Sequence, residues 1–133
     1  MTNKEKVKVF LVDDDDLLRD LLEMELLEQD DLTIETFATG ESCIEHLGNK
    51  PDIIVLDYNL DGVVPTAKNG IQILKEIKIY NSDIVVIMLS GQSDTNLAKE
   101  SLHHNAYDYV EKNATAPTLL KQMIRNIAGF KIQ

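Results

Sequence analysis

The sequence predicts an α/β fold built on a five-stranded parallel sheet in the order 2-1-3-4-5, with helices on both faces. Three observations carry that expectation. Five short apolar runs alternate with five segments whose apolar residues recur at helical spacing, the pattern of strands joined by right-handed helical crossovers. The third and fourth runs, Ile53-Ile54-Val55-Leu56 and residues 84–89, are continuously apolar and rich in β-branched side chains, as strands buried on both faces of a parallel sheet are. The second run, 32–37, is the most polar and alternates in character, which places it at an edge.

The first strand is read over 7–12 and runs into four adjacent acids, Asp13, Asp14, Asp15 and Asp16. Adjacent carboxylates repel, so the run needs a cation, solvent or a helix N-terminus to offset the cost. Asp15 and Asp16 suit the cap and first turn of a helix, leaving Asp13 and Asp14 at the strand's end. That helix extends to about Gln29 on a stripe of Leu17, Leu18, Leu21, Leu22 and Leu26, widened by Met24 and Leu27. A strand over 32–37 and a break at Thr39-Gly40 precede a short helix over 41–47, with Gly48 at its C′ position. Residues 51–60 form the central stretch, in which burial ends at Asp57. After a long loop, Ile71, Ile73, Leu74, Ile77 and Tyr80 mark a third helix. The fourth strand, 84–89, ends at Ser90-Gly91. Ser93 or Asp94 caps a helix carrying Leu97, Ala98, Ser101 and Leu102, and a fifth strand over 107–110 ends near Lys112. Thr115-Ala116-Pro117 opens the last helix, where a first-turn proline is harmless, and Leu120, Met123, Ile124 and Ile127 form its buried stripe.

At 133 residues the chain has the length of one domain, 1–133, with no linker, repeat or low-complexity segment. A net charge of -10 argues against a direct nucleic-acid role, which needs clustered cations to displace counterions. No apolar run approaches a membrane span, and the first residues carry no signal-peptide core, so a cytoplasmic location is expected. The single cysteine, Cys43, sits within a helical pattern and reads as a small buried apolar residue.

The residues with chemistry all fall at strand C-terminal ends: Asp13 and Asp14, Asp57, Ser90 and Lys112. In a parallel sheet those ends share one edge, where open α/β sheets gather ligands. Carboxylates, a hydroxyl and an ammonium suit a hard divalent cation and phosphoryl chemistry, with a carboxylate as nucleophile. Alone, each residue reads blandly: an acidic surface run, a loop aspartate, a turn serine, a surface lysine, a half-buried strand tyrosine. The pairs and singles of histidine, His103-His104 and His46, read as surface residues.

Four segments, 9–15, 51–60, 86–91 and 106–112, together resemble the receiver domain of two-component response regulators, a flavodoxin-like fold, over nearly the whole chain. The resemblance implies a phosphorylation-dependent signalling switch with no enzymatic turnover beyond its own phosphorylation and slow dephosphorylation. It implies that Asp57 accepts a phosphoryl group from a phosphohistidine on a histidine kinase or phosphotransfer protein. Asp13, Asp14, Asp57 and the backbone carbonyl of Asn59 would hold Mg²⁺ or Mn²⁺. Ser90 and Lys112 would contact the phosphoryl group, Ser90 and Tyr109 would form the switch, and a downstream protein target would read it. Gln92 and Asp61 are placed as modulators at the rim.

Two departures from the family pattern stand out. Asn69-Gly70 arrives late after Asp57, so residues 61–68 read as a loop insertion of about five residues, cheap on a surface. Asn113 follows Lys112 where the family usually has proline, so a trans bond is expected there. Two other functions compete: a pseudo-receiver acting by protein contact alone, and an aspartyl phosphatase of the haloacid-dehalogenase type. The phosphatase wants an acid two residues past the nucleophile, and Asn59 occupies that place.

Overall fold

Neighbouring side chains of one strand enter two different cores. In β1 (Val7–Val12), Val9 and Leu11 join one apolar cluster while Phe10 and Val12 join another. The same period-two division runs through β3 (Ile53–Asp57) and β4 (Val85–Ser90), where Ile53, Val55, Ile87 and Leu89 face one way and Ile54, Leu56, Val86 and Met88 the other. The first core is closed by Leu22 and Leu26 of α1 (Asp16–Leu26) and by Leu120 and Ile124 of α5 (Ala116–Ile132). The second is closed by Cys43 of α2 (Gly40–Glu45) and by Ile73, Leu74 and Ile77 of α3 (Gly70–Tyr80). Each such buried leucine or isoleucine contributes about 1.5–3 kcal/mol.

This computed structural model describes residues 6–28, 31–60, 69–91 and 95–132. With β2 (Leu32–Phe37), α4 (Thr95–His103) and β5 (Asp108–Glu111), the strands form one parallel sheet in the order β2-β1-β3-β4-β5, as the sequence predicts. Among the described residues no helix is long and apolar enough to cross a membrane.

The ladder continues past the strand ends into the loops. Asp13 N donates to Phe37 O at 3.1 Å, Tyr58 N to Leu89 O at 2.9 Å, and Lys112 N to Ser90 O at 2.8 Å. These bonds carry the rigidity of the sheet to the backbone of the residues that stand at its C-terminal edge. The carbonyl of Tyr58 also accepts from Leu60 N at 3.1 Å and Gly70 N at 2.8 Å, so the chain on both sides of 61–68 fastens to one point. Asn69 then starts α3 with a capping box: its side chain accepts from Gln72 N while Gln72 reaches back to Asn69 N.

Several expectations need correction. Burial does not stop at Asp57: its side chain is wholly buried and closes β3, and Leu60 beyond it is buried too. The buried stripe of α1 is narrower than its leucine content suggests. Leu22 and Leu26 are buried, but Leu17 is 80% and Met24 70% exposed, with Leu21 and Leu27 also on the outside. A helix lying on a sheet buries only one arc of its circumference, and Leu17, Leu21 and Met24 (i, i+4, i+7) form a second stripe off that arc. The same helix ends at Leu26 with Leu27 as C-cap, and Gln29 lies outside the described residues. Gly48 is not a left-handed cap. It lies in a 3-10 turn, Leu47–Asn49, and the left-handed residue is Lys50 (φ 60°), which Pro51 bars from the right-handed helical region. Strands β4 and β5 each sit one residue later than read, so Ser90 and Glu111 are strand residues. Ser93 and Asp94 lie outside the described residues.

Candidate functional site

The four-acid run is divided among different tasks by its hydrogen bonds. Asp15 is the N-cap of α1, its Oδ1 accepting from Leu17 N at 3.0 Å and Leu18 N at 3.2 Å. Asp16 lies in the first turn and pairs with the Arg19 guanidinium. Asp13 turns inward: it is 1% exposed, and its Oδ1 accepts from Asp15 N at 2.9 Å. Asp14 is half-buried beside it.

At the ends of β1, β3 and β5 three charged groups meet. Lys112 Nζ lies 2.9 Å from Asp57 Oδ2 and 3.1 Å from Asp13 Oδ2. Apart from these ion pairs neither Oδ2 has a hydrogen-bond partner among the described residues, so both buried oxygens keep lone pairs available. Asp57 Oδ1 accepts from Asn59 N at 3.1 Å, so the backbone just past the strand orients the carboxylate. Carboxylate oxygens of Asp13, Asp14 and Asp57 lie within 4.8 Å of one another, the one such acidic group among the described residues with the geometry to hold a metal ion. All its donors are oxygens, the set that a hard divalent cation takes.

Burial and crowding set the protonation behaviour. Desolvation pushes the Asp57 carboxyl up to about 6, helped by the Asp13 charge and opposed by the Lys112 ammonium and the Asn59 N–H. Asp14 is raised, by desolvation first and by Asp13 second. Burial lowers the Lys112 pKa, but the Asp57 and Asp13 carboxylates outweigh it and hold the ammonium above its ordinary value. Elsewhere, burial pushes the Cys43 thiol up to about 12, so it is an inert core group.

An ionised Asp57 is therefore a cost to the metal-free fold. Its folded pKa lies above the unfolded value, so the native state binds the extra proton and stability falls as pH rises from about 4 to about 6. Asp57→Asn removes that cost. In EDTA at pH 7.5, urea unfolding is expected to give a variant more stable than wild type by roughly 2 kcal/mol, a gap that narrows at pH 5, where wild-type Asp57 is protonated.

Ser90 is 5% exposed at the end of β4, one residue beyond Leu89, the partner of Asp57 in the ladder. Tyr109 points outward and is 41% exposed. Between them opens a cleft of about 540 Å³, whose walls include Ser90, Gly91, Tyr109, Glu111, Leu119 and Met123. Asn113 follows Lys112 through a trans bond, and its side chain accepts from Thr115 N at 2.9 Å and Oγ1 at 2.7 Å, closing the turn into α5. Asn59 is exposed beside Asp57. Asp61 and Gln92, placed at the rim from sequence, lie outside the described residues.

Sequence reasoning missed Arg19 and, though it placed Gly70 in the late Asn69-Gly70 pair, missed how closely Gly70 packs. Arg19, on α1, donates from Nη1 to the backbone carbonyl of Asp13 at 2.6 Å. The signal for it was an unbalanced acidic run with a cation three residues past Asp16. Gly70 packs so closely that a Cβ there would stand 2.5 Å from Asp57 O and 2.6 Å from Tyr58 Cα.

Comparison with known proteins places the fold in a family. A family model described as the response regulator receiver domain matches residues 9–125. The DNA-binding transcriptional regulator NtrC of Escherichia coli K12 is 33% identical over 126 residues, covering 94% of this chain and 26% of that protein. A protein-glutamate methylesterase/protein-glutamine glutaminase of Clostridium acetobutylicum is 35% identical over 114 residues, covering 81% of this chain and 31% of its own. The chain thus spans about a quarter to a third of the length of these two relatives. Among solved structures, the receiver domain of NtrX from Brucella abortus superposes with a TM-score of 0.79 at 26% identity, covering 90% of this chain and 98% of that one.

Proposed function

The chain belongs to the response regulator receiver domain family, a module of two-component signalling, and from that premise we propose that it is a switch thrown by phosphorylation of Asp57. The observation that carries this reading is the Lys112 ammonium set between the buried carboxylates of Asp57 and Asp13. Asp57 Oδ2 attacks the phosphorus of a phosphohistidine on a histidine kinase or phosphotransfer protein. The O–P bond forms as the N–P bond breaks, and that bond's electron pair returns to the imidazole nitrogen. The product is an acyl phosphate on Asp57. The nucleophile must be ionised, and above about pH 6 it is. Lys112, already within 3.1 Å of both carboxylates, moves onto the incoming phosphoryl oxygens, where charge develops.

Asp13, Asp14, Asp57 and the Asn59 carbonyl would hold Mg²⁺ or Mn²⁺, and the buried oxygens of Asp13 and Asp57 with lone pairs to spare fit such a cation. Bound there, the ion supplies charge neutralisation for the transferred group. Ser90 presents its hydroxyl from the neighbouring strand end, and its movement toward the phosphoryl group opens room for Tyr109 to swing from solvent into the adjoining cleft. The surface formed by α4, β5 and α5 changes as a result, and a downstream protein partner reads it. The phosphodonor meets the exposed stripe of Leu17, Leu21 and Met24, which begins one turn from the acidic pair. Asp61 and Gln92, which the sequence alone nominates as modulators, would tune how long the phosphate lasts. Such a module turns over no external substrate, and its setting is the cytoplasm.

Acetyl phosphate and intact-mass measurement test the reading. Wild type is expected to gain one acid-stable, base-labile phosphoryl group with Mg²⁺ and none in EDTA, and Asp57→Ala is expected to gain none. An adduct that survives Asp57→Ala removes the site assignment. A wild type that accepts nothing from acetyl phosphate or from a phosphohistidine donor is a pseudo-receiver, and steady turnover of phosphate esters marks an aspartyl phosphatase.

A further inference from the structure

Arg19 makes two contacts that together span the turn between β1 and α1. Nη1 donates to the backbone carbonyl of Asp13 at 2.6 Å, and Nη2 pairs with the Asp16 carboxylate. The side chain is only 16% exposed, whereas Asp16 is 83% exposed, so the arginine lies against the protein and brings the acid to it. We propose that Arg19 is a positioning residue for the divalent cation: its planar fork ties the Asp13 carbonyl to the first turn of α1 and so fixes the direction in which Asp13 and Asp14 present their carboxylates. The inference rests on the reading of those two acids as metal holders.

Three hydrogen-bonded links then fix the turn. Asp15 N holds the Asp13 carboxylate, the Asp15 side chain holds the helix N-terminus, and Arg19 holds the Asp13 carbonyl. The first two are local, made by the acids and the backbone around them. The Arg19 link alone reaches from the second turn of the helix back to the strand's end, which makes it the one that sets the angle of the acidic pair against the sheet. Arginine suits this work because its fixed fork serves two acceptors at once, which a lysine ammonium on a flexible stem does less well.

Charge and geometry predict opposite effects of removing it. Deleting a cation next to a metal site, and freeing the Asp16 carboxylate, attracts Mg²⁺ more strongly on Coulombic grounds alone. Loss of a positioning contact weakens binding. Titration calorimetry of MgCl₂ into the unphosphorylated full chain, with circular dichroism to verify folding, separates the two. Arg19→Ala is expected to bind Mg²⁺ at least about threefold more weakly, and Arg19→Lys to fall between it and wild type. With acetyl phosphate, the half-saturating Mg²⁺ concentration should rise by the same factor while the rate at saturating Mg²⁺ stays within about twofold of wild type, a split that mere loss of stability does not produce. Should Arg19→Ala fail to fold, the Arg19→Lys titration carries the test. Unchanged or tighter Mg²⁺ binding in a folded variant overturns the inference and leaves the metal reading intact. A wild type that binds no Mg²⁺ overturns both.

Discussion

Lys112→Ala is expected to slow phosphoryl acceptance from acetyl phosphate by about 100-fold or more, the usual cost of removing a preorganised charge aimed at a transferring group. The ammonium sits 2.9 Å from Asp57 and 3.1 Å from Asp13, and nothing else among the described ion pairs touches either carboxylate. Without it, desolvation and the Asp13 charge raise the Asp57 carboxyl further above about 6, so less of the nucleophile is ionised at neutral pH. The two losses act in the same direction. Stability should suffer as well: breaking a buried ion pair by removing one partner costs about 3–5 kcal/mol. Because protonation of Asp57 relieves the repulsion, that deficit in EDTA should shrink from pH 7.5 to pH 5. Urea unfolding at the two pH values, alongside the phosphorylation rate, checks both parts. A variant that keeps its rate would remove Lys112 from the chemistry.

Gly70→Ala is expected to be strongly damaging for a single added methyl group. The new Cβ would meet Asp57 O at 2.5 Å and Tyr58 Cα at 2.6 Å, and both are backbone atoms that no rotamer change moves aside. Either β3 shifts at its end or α3 retreats, which breaks the bond from Gly70 N to Tyr58 O. Overpacking of this kind costs about 1–3 kcal/mol and occasionally more. The strain lands on the backbone of Asp57 itself, so the folded variant should also accept phosphate about 10-fold more slowly or worse, a displacement effect. Gly48→Ala is the control, since a Cβ there meets nothing within 4 Å. Equal effects of the two substitutions would contradict the packing argument.

Much of this was legible because the strands alternate between two cores and their ends fall on residues of distinct chemistry. The unbroken apolar runs at Ile53 and Val86 fixed central strands, and the polar pattern of 32–37 put β2 at an edge, as the sheet has it. Asp13, Asp57, Ser90 and Lys112 follow directly from strand order, since convergence there needs topology alone. What sequence left hidden depends on packing direction. Five leucines in α1 look equivalent in a list, yet only Leu22 and Leu26 are fully buried, because the helix's rotation about its axis is set by β1 and α5 rather than by its own composition. The burial of Asp57 was missed for a related reason: a carboxylate after an apolar run reads as the start of solvent, whereas the Lys112 ammonium lets it close the strand in the interior. Arg19 reads as an ordinary helix-surface cation until the turn that it spans is seen in three dimensions.

The account stands most directly on the identity of the phosphorylated atom. An acyl phosphate is reduced by borohydride to the alcohol, so an aspartyl phosphate becomes homoserine while free carboxylates are untouched. Wild type treated with acetyl phosphate and Mg²⁺, reduced, digested and mapped by mass should carry homoserine at position 57 and at no other aspartate. Homoserine at Asp13 or Asp14, or a phosphorylated protein with position 57 unchanged, would contradict it.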